Sequence, residues 1–274
     1  MIVEGSVCHC LMQADGIWGV TTLGNLIYVL RDRESEQIAV YDADSYRLQR
    51  KITVLGHCST CGIVACPYYS CVYVPGDECV HRVALLDDQV TNWPVFDECG
   101  DLSVTDTHSV LVTCIKAGRI KEFSTDGKQL RQIQLSHDVL SPLHTIQLPS
   151  GQFIVCHDKV YGDADPCVSL IGSDGHVVKS YCGPVGSGIK KMVLPARLAV
   201  DKNGFVFVVH TNNGQVLLMS PTLTFVRVFL SHEQLKWTPR RLWLDSDRRR
   251  LYVAVNKFED GECTEGEVVV VRVQ

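Results

Sequence analysis

Apolar and polar positions change places in short bursts along this chain, and the bursts recur. Runs of roughly five residues rich in Val, Ile, Leu, Tyr and Phe alternate with turns of Gly, Asp, Asn and Ser, the pattern of short strands joined by tight turns. The clearest stretch reads LPARLAVDKNGFVFVVHTNNGQVLLMSPTLTFVRVFL, followed by TPRRLWLDSDRRRLYVAVNKFEDGECTEGEVVVVRV. The first holds four apolar runs and the second holds three. A strand-like segment over residues 2–12 has no partner near it in sequence. Helical periodicity is weak throughout, and only residues 231–237 suit a short helical turn.

Copies of the pattern cover residues 16–54, 62–95, 102–135, 144–181, 196–230 and 241–273. In the first, strands are predicted over 16–20, 26–31, 37–42 and 48–54. The second is degenerate, with clear strands only over 71–74 and 81–85. The third has strands over 110–114, 119–124 and 130–135, and the fourth over 152–157, 168–171 and 177–181. First strands recur roughly 40 to 50 residues apart, and four strands at that period mark a β-propeller. The prediction is an all-β, six-bladed propeller filling residues 1–274 as a single domain. The N-terminal strand, near 3–11, should complete the last blade by pairing with 268–273, which hides an edge and closes the ring.

Composition narrows the setting. The chain is 46% hydrophobic, yet no apolar run is long enough for a membrane helix. The start, MIVEGSVCHCLMQ, lacks the basic and apolar regions of a signal peptide. There are 13 cysteines, an odd number. Cys71, Cys114, Cys156 and Cys167 sit inside strand runs, where a free thiol behaves as a small hydrophobe. With no Asn-x-Ser/Thr acceptor, these point to a reducing, cytoplasmic setting. The net charge of −5 disfavours general phosphate-backbone binding.

Chemistry is sparse. The residues ending the second strands are Arg31, Gly76, Cys114, His157, His210 and Val255. Only His157 and His210 offer imidazoles, fewer than the three protein ligands of a catalytic zinc. HCSTC (His57, Cys58, Cys61) lacks the second knuckle of a structural zinc site. GPVGSG at 183–188 reads as a linker between blades. No nucleophile elbow, phosphate loop or zincin motif occurs. Arg248, Arg249 and Arg250 read as a solvated turn. The loops from second to third strands share one face and are acidic: Asp32, Glu34, Glu36, Asp77, Glu78, Asp158, Asp163, Asp165, Glu259, Asp260, Glu262 and Glu265. Such a face repels phosphates and suits a basic peptide, or a cation held by carboxylates.

NGFVFVVHTNNGQVLLMSP and RRLYVAVNKFEDG resemble NHL repeats, as in the C-terminal propellers of tripartite-motif-like proteins of invertebrates. That resemblance implies a six-bladed ring that recognises RNA or protein. The family's Asp after Val-Ala is replaced by His210 and Val255, and its Arg before the third strand by Gln215. The RING, B-box and coiled-coil segments usual in that family do not occur in the sequence, so ubiquitin-ligase activity is not expected. The expected function is non-catalytic recognition of a protein or peptide through loops on one face. The expected binding residues are Arg31, Asp32, Asp77, His157, Asp158, His210, Asn212 and Asn256. No enzyme activity, cofactor or metal is expected. RNA binding and a metal-dependent lactonase or lyase are the alternatives.

Overall fold

A computed structural model describes residues 5–13, 16–31, 36–56, 62–158, 166–183, 192 and 194–273. They form six four-stranded antiparallel sheets, each a blade of a six-bladed β-propeller. Blade one is Ile17–Leu23, Leu26–Arg31, Gln37–Asp42 and Leu48–Thr53. Blade two is Val64–Cys66, Cys71–Pro75, Cys79–Ala84 and Val90–Pro94. Blade three is Cys99–Val104, Val110–Cys114, Arg119–Phe123 and Gln129–Gln134. Blade four is Pro142–Gln147, Phe153–His157, Cys167–Ile171 and Val177–Tyr181. Blade five is Pro195–Val200, Val206–His210, Gln215–Met219 and Phe225–Leu230. Blade six is Thr238–Asp245, Arg250–Glu259 and Glu262–Val273, closed by Gly5–Gln13.

The divided copy closes the ring as its strand count predicts. Gly5 pairs with Val273 and Gln13 with Gly266, with a bulge between Val7 and His9. Residues 3 and 4 of the predicted strand lie outside the described residues. The first strand of each blade packs on the first strands of its neighbours, so these six strands surround the central channel. Second strands are buried on both faces: VLVTC, FIVCH and VFVVH are buried throughout. Outer strands are not. LQRKIT buries only Ile52, and VTNWP only Trp93. That explains why the outer strand of blade two escaped the apolar pattern. The short helical turn His232–Leu235 is held by a capping box between Ser231 and Gln234. Among the described residues, no helix is long and apolar enough to cross a membrane.

Inner strands are sheet edges, so their free N–H and C=O groups need partners. Polar side chains supply them across blade boundaries. The Asn256 amide accepts from Ile17 N (2.9 Å) and donates to Ile17 O (3.1 Å). Thr21 Oγ1 accepts from Ala65 N at 3.2 Å. On the hairpin side, Trp243 Nε1 donates to Thr22 Oγ1 (2.8 Å), and Thr22 Oγ1 donates to Asp245 Oδ2 (2.9 Å). Two arginines of the expected solvated turn also seal blade six to blade one. Arg248 donates to Asn25 Oδ1 (2.7 Å) and Arg250 to Ala43 O (2.9 Å). Arg249 stays exposed.

The thiols need one correction. Cys71, Cys114 and Cys156 are free and buried. Burial pushes the Cys71 thiol up and takes Cys114 and Cys156 each to about 12, which keeps them protonated. Cys167, expected as a free thiol, is joined to Cys182 by a disulfide. Its Cβ lies within reach because Cys182 directly follows the neighbouring outer strand.

Candidate functional site

Each inner strand except that of blade two begins with a register shift against its neighbour, at Ile17/Gly19, Cys99/Leu102, Pro142/His144, Pro195/Arg197 and Pro239/Arg241. The extra residue turns the next one toward the channel. Equivalent positions are therefore Gly19, Asp101, His144, Arg197 and Arg241, and extending the register of blade two from Val64↔Tyr73 adds Gly62. Four of the six positions in this layer carry polar groups, and two are glycines.

These side chains meet in the channel. Asp101 accepts from Gly62 N (3.2 Å) and Leu102 N (2.9 Å), and its Oδ2 is paired with Arg197 Nε. Arg241 Nε stands 3.7 Å from the same oxygen. Gly62 makes the room: a Cβ there would lie 2.9 Å from Asp101 Oδ1 and 3.2 Å from Arg241 Nε. Burial alone would raise the Asp101 carboxyl, but Arg197 and then Arg241 outweigh it and hold it below the usual carboxylate range. His144 Nδ1 accepts from Leu198 N (3.2 Å), so its Nε2–H donates to Leu102 O (3.3 Å). Burial pushes His144 down to about 4 and keeps it neutral. The layer thus links blades two to six and spans the channel.

Beyond this layer the channel widens into a cavity of about 770 Å³, within the range of small-ligand sites. Its walls are Ile63, Val64, Leu102, Ile146, Leu198 and Leu242, with Ser103 among them. It continues to the hairpins joining first and second strands, reaching Pro67, His108, Ser150, Lys202 and Ser246. The shape is a funnel with a charged floor. At its mouth, His108 stacks on Tyr68 with ring centres 4.2 Å apart, and Tyr69 packs edge-on at 4.8 Å from Tyr68. Tyr68 is 67% exposed, and Leu86 on the adjoining turn of blade two is 96% exposed.

The residues predicted from sequence lie at the other end of the ring, where second strands finish. His157 is buried with Nε2 2.9 Å from Ser169 Oγ, and burial takes it down to about 4. His210 is buried beside Asn213, whose Nδ2 is 3.2 Å from its ring nitrogens, and burial takes it to about 4 as well. Asn256 is fully buried in its clasp on Ile17. Asp77 and Asn212 are exposed, and Arg31 and Asp158 are half-buried. Asp32 lies outside the described residues, as do Glu34, Asp163, Asp165, His57, Cys58 and Cys61. On this side Arg240 is held between Trp18 (5.3 Å) and Phe258 (4.7 Å). Among the described residues, no three His, Cys, Asp or Glu side chains gather as metal ligands would.

Sequence reasoning missed the funnel floor because its members lie 39 (Gly62 to Asp101) to 53 (His144 to Arg197) residues apart. The available signal was their shared place at the head of successive copies.

No family model and no curated protein matches this chain. Solved structures do. Hydrazine synthase from Kuenenia stuttgartiensis matches at 15% identity and a TM-score of 0.64, over 93% of this chain and 76% of that one. A streptogramin B lyase matches at 10% identity and 0.64, over 97% and 98%. A catalytically inactive virginiamycin B lyase from Staphylococcus aureus, with quinupristin, matches at 9% identity and 0.64, over 95% and 99%. At these identities the likeness shows the fold. It also corrects the expectation of a non-enzyme, since rings of this shape include a synthase and lyases. The chain is a six-bladed β-propeller whose channel is a funnel with a charged, buried floor.

Proposed function

We propose that this propeller is a recognition module that takes a peptide segment of a protein partner into the funnel. The ligand enters from the face of the first-to-second-strand hairpins, opposite the acidic loops. The observation that carries this reading is the continuity, through half-buried His108, between the funnel and the exposed Tyr68 and Tyr69 at its mouth. A small molecule would be satisfied by the funnel alone. A chain longer than the funnel would leave across the aromatic cluster, and exposed Tyr is the usual anchor of such contacts. RNA is disfavoured by the net charge and by the use of Arg248 and Arg250 in ring closure. We read the blades as divergent NHL-like repeats, on the strength of the fifth and sixth copies.

Panning peptide libraries with free carboxyl ends and with free amino ends tests this reading. Val200 lines the funnel and is half-buried, so Val200→Trp should narrow it. Enriched peptides should lose about tenfold in affinity against Val200→Trp, and about five- to tenfold against Tyr68→Ala. No enrichment, or unchanged binding to both folded variants, overturns the proposal.

A further inference from the structure

We infer that the face opposite the funnel carries a carboxylate site, built from Arg240 and Trp18 at the seam of blades six and one, and that it takes an Asp or Glu side chain of a protein partner. Neither residue lines the funnel, so failure of this site and failure of the recognition reading are distinguishable. Three observations carry it.

The first is position. Trp18 and Arg240 are the extra residues of the register shifts at Ile17/Gly19 and Pro239/Arg241, on neighbouring inner strands. In blades four and five the same place holds Leu143 and Ala196. At this seam it holds a cation and an indole. Blade six adds a second ring. Its second strand runs past Val255, the counterpart of His157 and His210, through Asn256 and Lys257 to Phe258 and Glu259.

The second is the state of the donors. The Arg240 guanidinium carbon lies 5.3 Å from the Trp18 ring centre and 4.7 Å from that of Phe258. The rings stack on its faces, and its N–H edge still needs acceptors. Among the described residues, Arg240 Nε and Trp18 Nε1 are buried atoms without a hydrogen-bond partner. The groups acting on the Arg240 charge are the Cys263 thiol and Arg197, and neither supplies a carboxylate. The acids of the same hairpin, Glu259 and Glu265, hold Lys257 instead, at 2.8 and 3.1 Å. A Cβ at Gly16 would lie 3.3 Å from Trp18 Nε1, so the glycine leaves that edge of the indole clear. Two buried donors without acceptors call for an explanation, and one ligand with two acceptor oxygens supplies it.

The third is shape and charge. Guanidinium and indole only donate, so an amine gains nothing here. A carboxylate is planar. It can continue the plane of a guanidinium held between two rings and pair with its nitrogens. A phosphate is tetrahedral, and its second charge would stand unbalanced near Glu259, Asp260 and Glu262. Arg240 and Trp18 are both half-buried and lie outside the cavity. A free acid would stay largely in water there, whereas a side chain arrives with the partner's surface around it.

The Trp18 indole N–H is the reporter for the test. Its cross-peak in the nitrogen–proton spectrum of isotope-labelled protein is assigned with Trp18→Phe. Propionate and the peptide acetyl-Ala-Glu-Ala-amide should each move it downfield and saturate. Propionamide, inorganic phosphate and the matching Gln peptide should bind at least about tenfold more weakly. Arg240→Gln, checked for folding by its melting curve, should weaken the Glu peptide by at least about tenfold. If that variant does not fold, Trp18→Phe takes its place, since it keeps a ring and removes the donor; calorimetry should then show a loss of about three- to tenfold. Unchanged affinity in the folded variant overturns the site, as does a Trp18 signal that neither carboxylate moves. Equal binding of the Glu and Gln peptides, or of propionate and phosphate, overturns the carboxylate assignment. Propionate binding without the Glu peptide overturns the side-chain assignment in favour of a free acid.

Discussion

Lowering the pH from 7 to 5 should strip this propeller of much of its stability through three histidines. His144, His157 and His210 are each at least 93% buried, and burial takes each from an ordinary 6.5 down to about 4. In the unfolded chain they protonate near 6.5, while in the folded ring they stay neutral until about 4. The unfolded state therefore binds more protons between those values. The stability tied to these groups is full above 6.5, falls as the pH drops toward 4, and is flat below that. Integrating from pH 7 to 5 gives a little under about 2 kcal/mol for each group, or about 5 to 6 kcal/mol for the three. At this chain length that is a fall in Tm of roughly 10 to 20 °C. Urea unfolding at half-unit pH steps measures it directly. His157→Gln and His210→Gln should each remove about a third of the slope, whatever they do to stability at pH 7. A Tm at pH 5 within about 2 °C of that at pH 7 would show that the histidines are not held neutral, and the burial argument would fall.

Other outcomes follow from the ring itself. Deleting residues 1–13 removes eight paired positions against Gly266–Val273. It should cost about 4 kcal/mol or more, seen as a large fall in Tm or as association through the bared edge; a truncated chain melting like the intact one would refute the closure. Asn256→Ala leaves both Ile17 backbone groups buried without their clasp and should cost about 2 to 4 kcal/mol, with affinity for funnel peptides unchanged in the folded variant. Gly62→Ala forces a methyl against Asp101 and Arg241. It should cost about 1 to 3 kcal/mol and weaken peptide binding through a displaced floor, so a neutral effect on both would contradict the crossing of the channel.

The blades were legible because buried strands such as VFVVH and VLVTC are apolar at four of five positions, and because turns such as STDGKQ and SDGH interrupt them. The divided copy was legible from a count: three strands at one end and an orphan at the other. Where burial is slight, as in VTNWP, the pattern fades and strands are missed. The floor was hidden for a different reason. Asp101, His144, Arg197 and Arg241 are unremarkable in their own segments, and they become a site only when bulges turn them inward and the ring closes. The pattern of the copies points instead to His157, His210 and Asn256, one strand further out. Those residues proved to be buried fittings of the blades, because a position beside the channel is not the same as a position lining it. Only three-dimensional pairing shows that the hairpin face, and not the face of acidic loops, opens on the cavity.

The most direct measurement is a crystal structure of the protein with a selected peptide. The account predicts part of the peptide in the funnel and its continuation across Tyr68 and His108. A peptide lying on the opposite face, against Asp77 and Asn212, with the funnel filled by solvent, would contradict it.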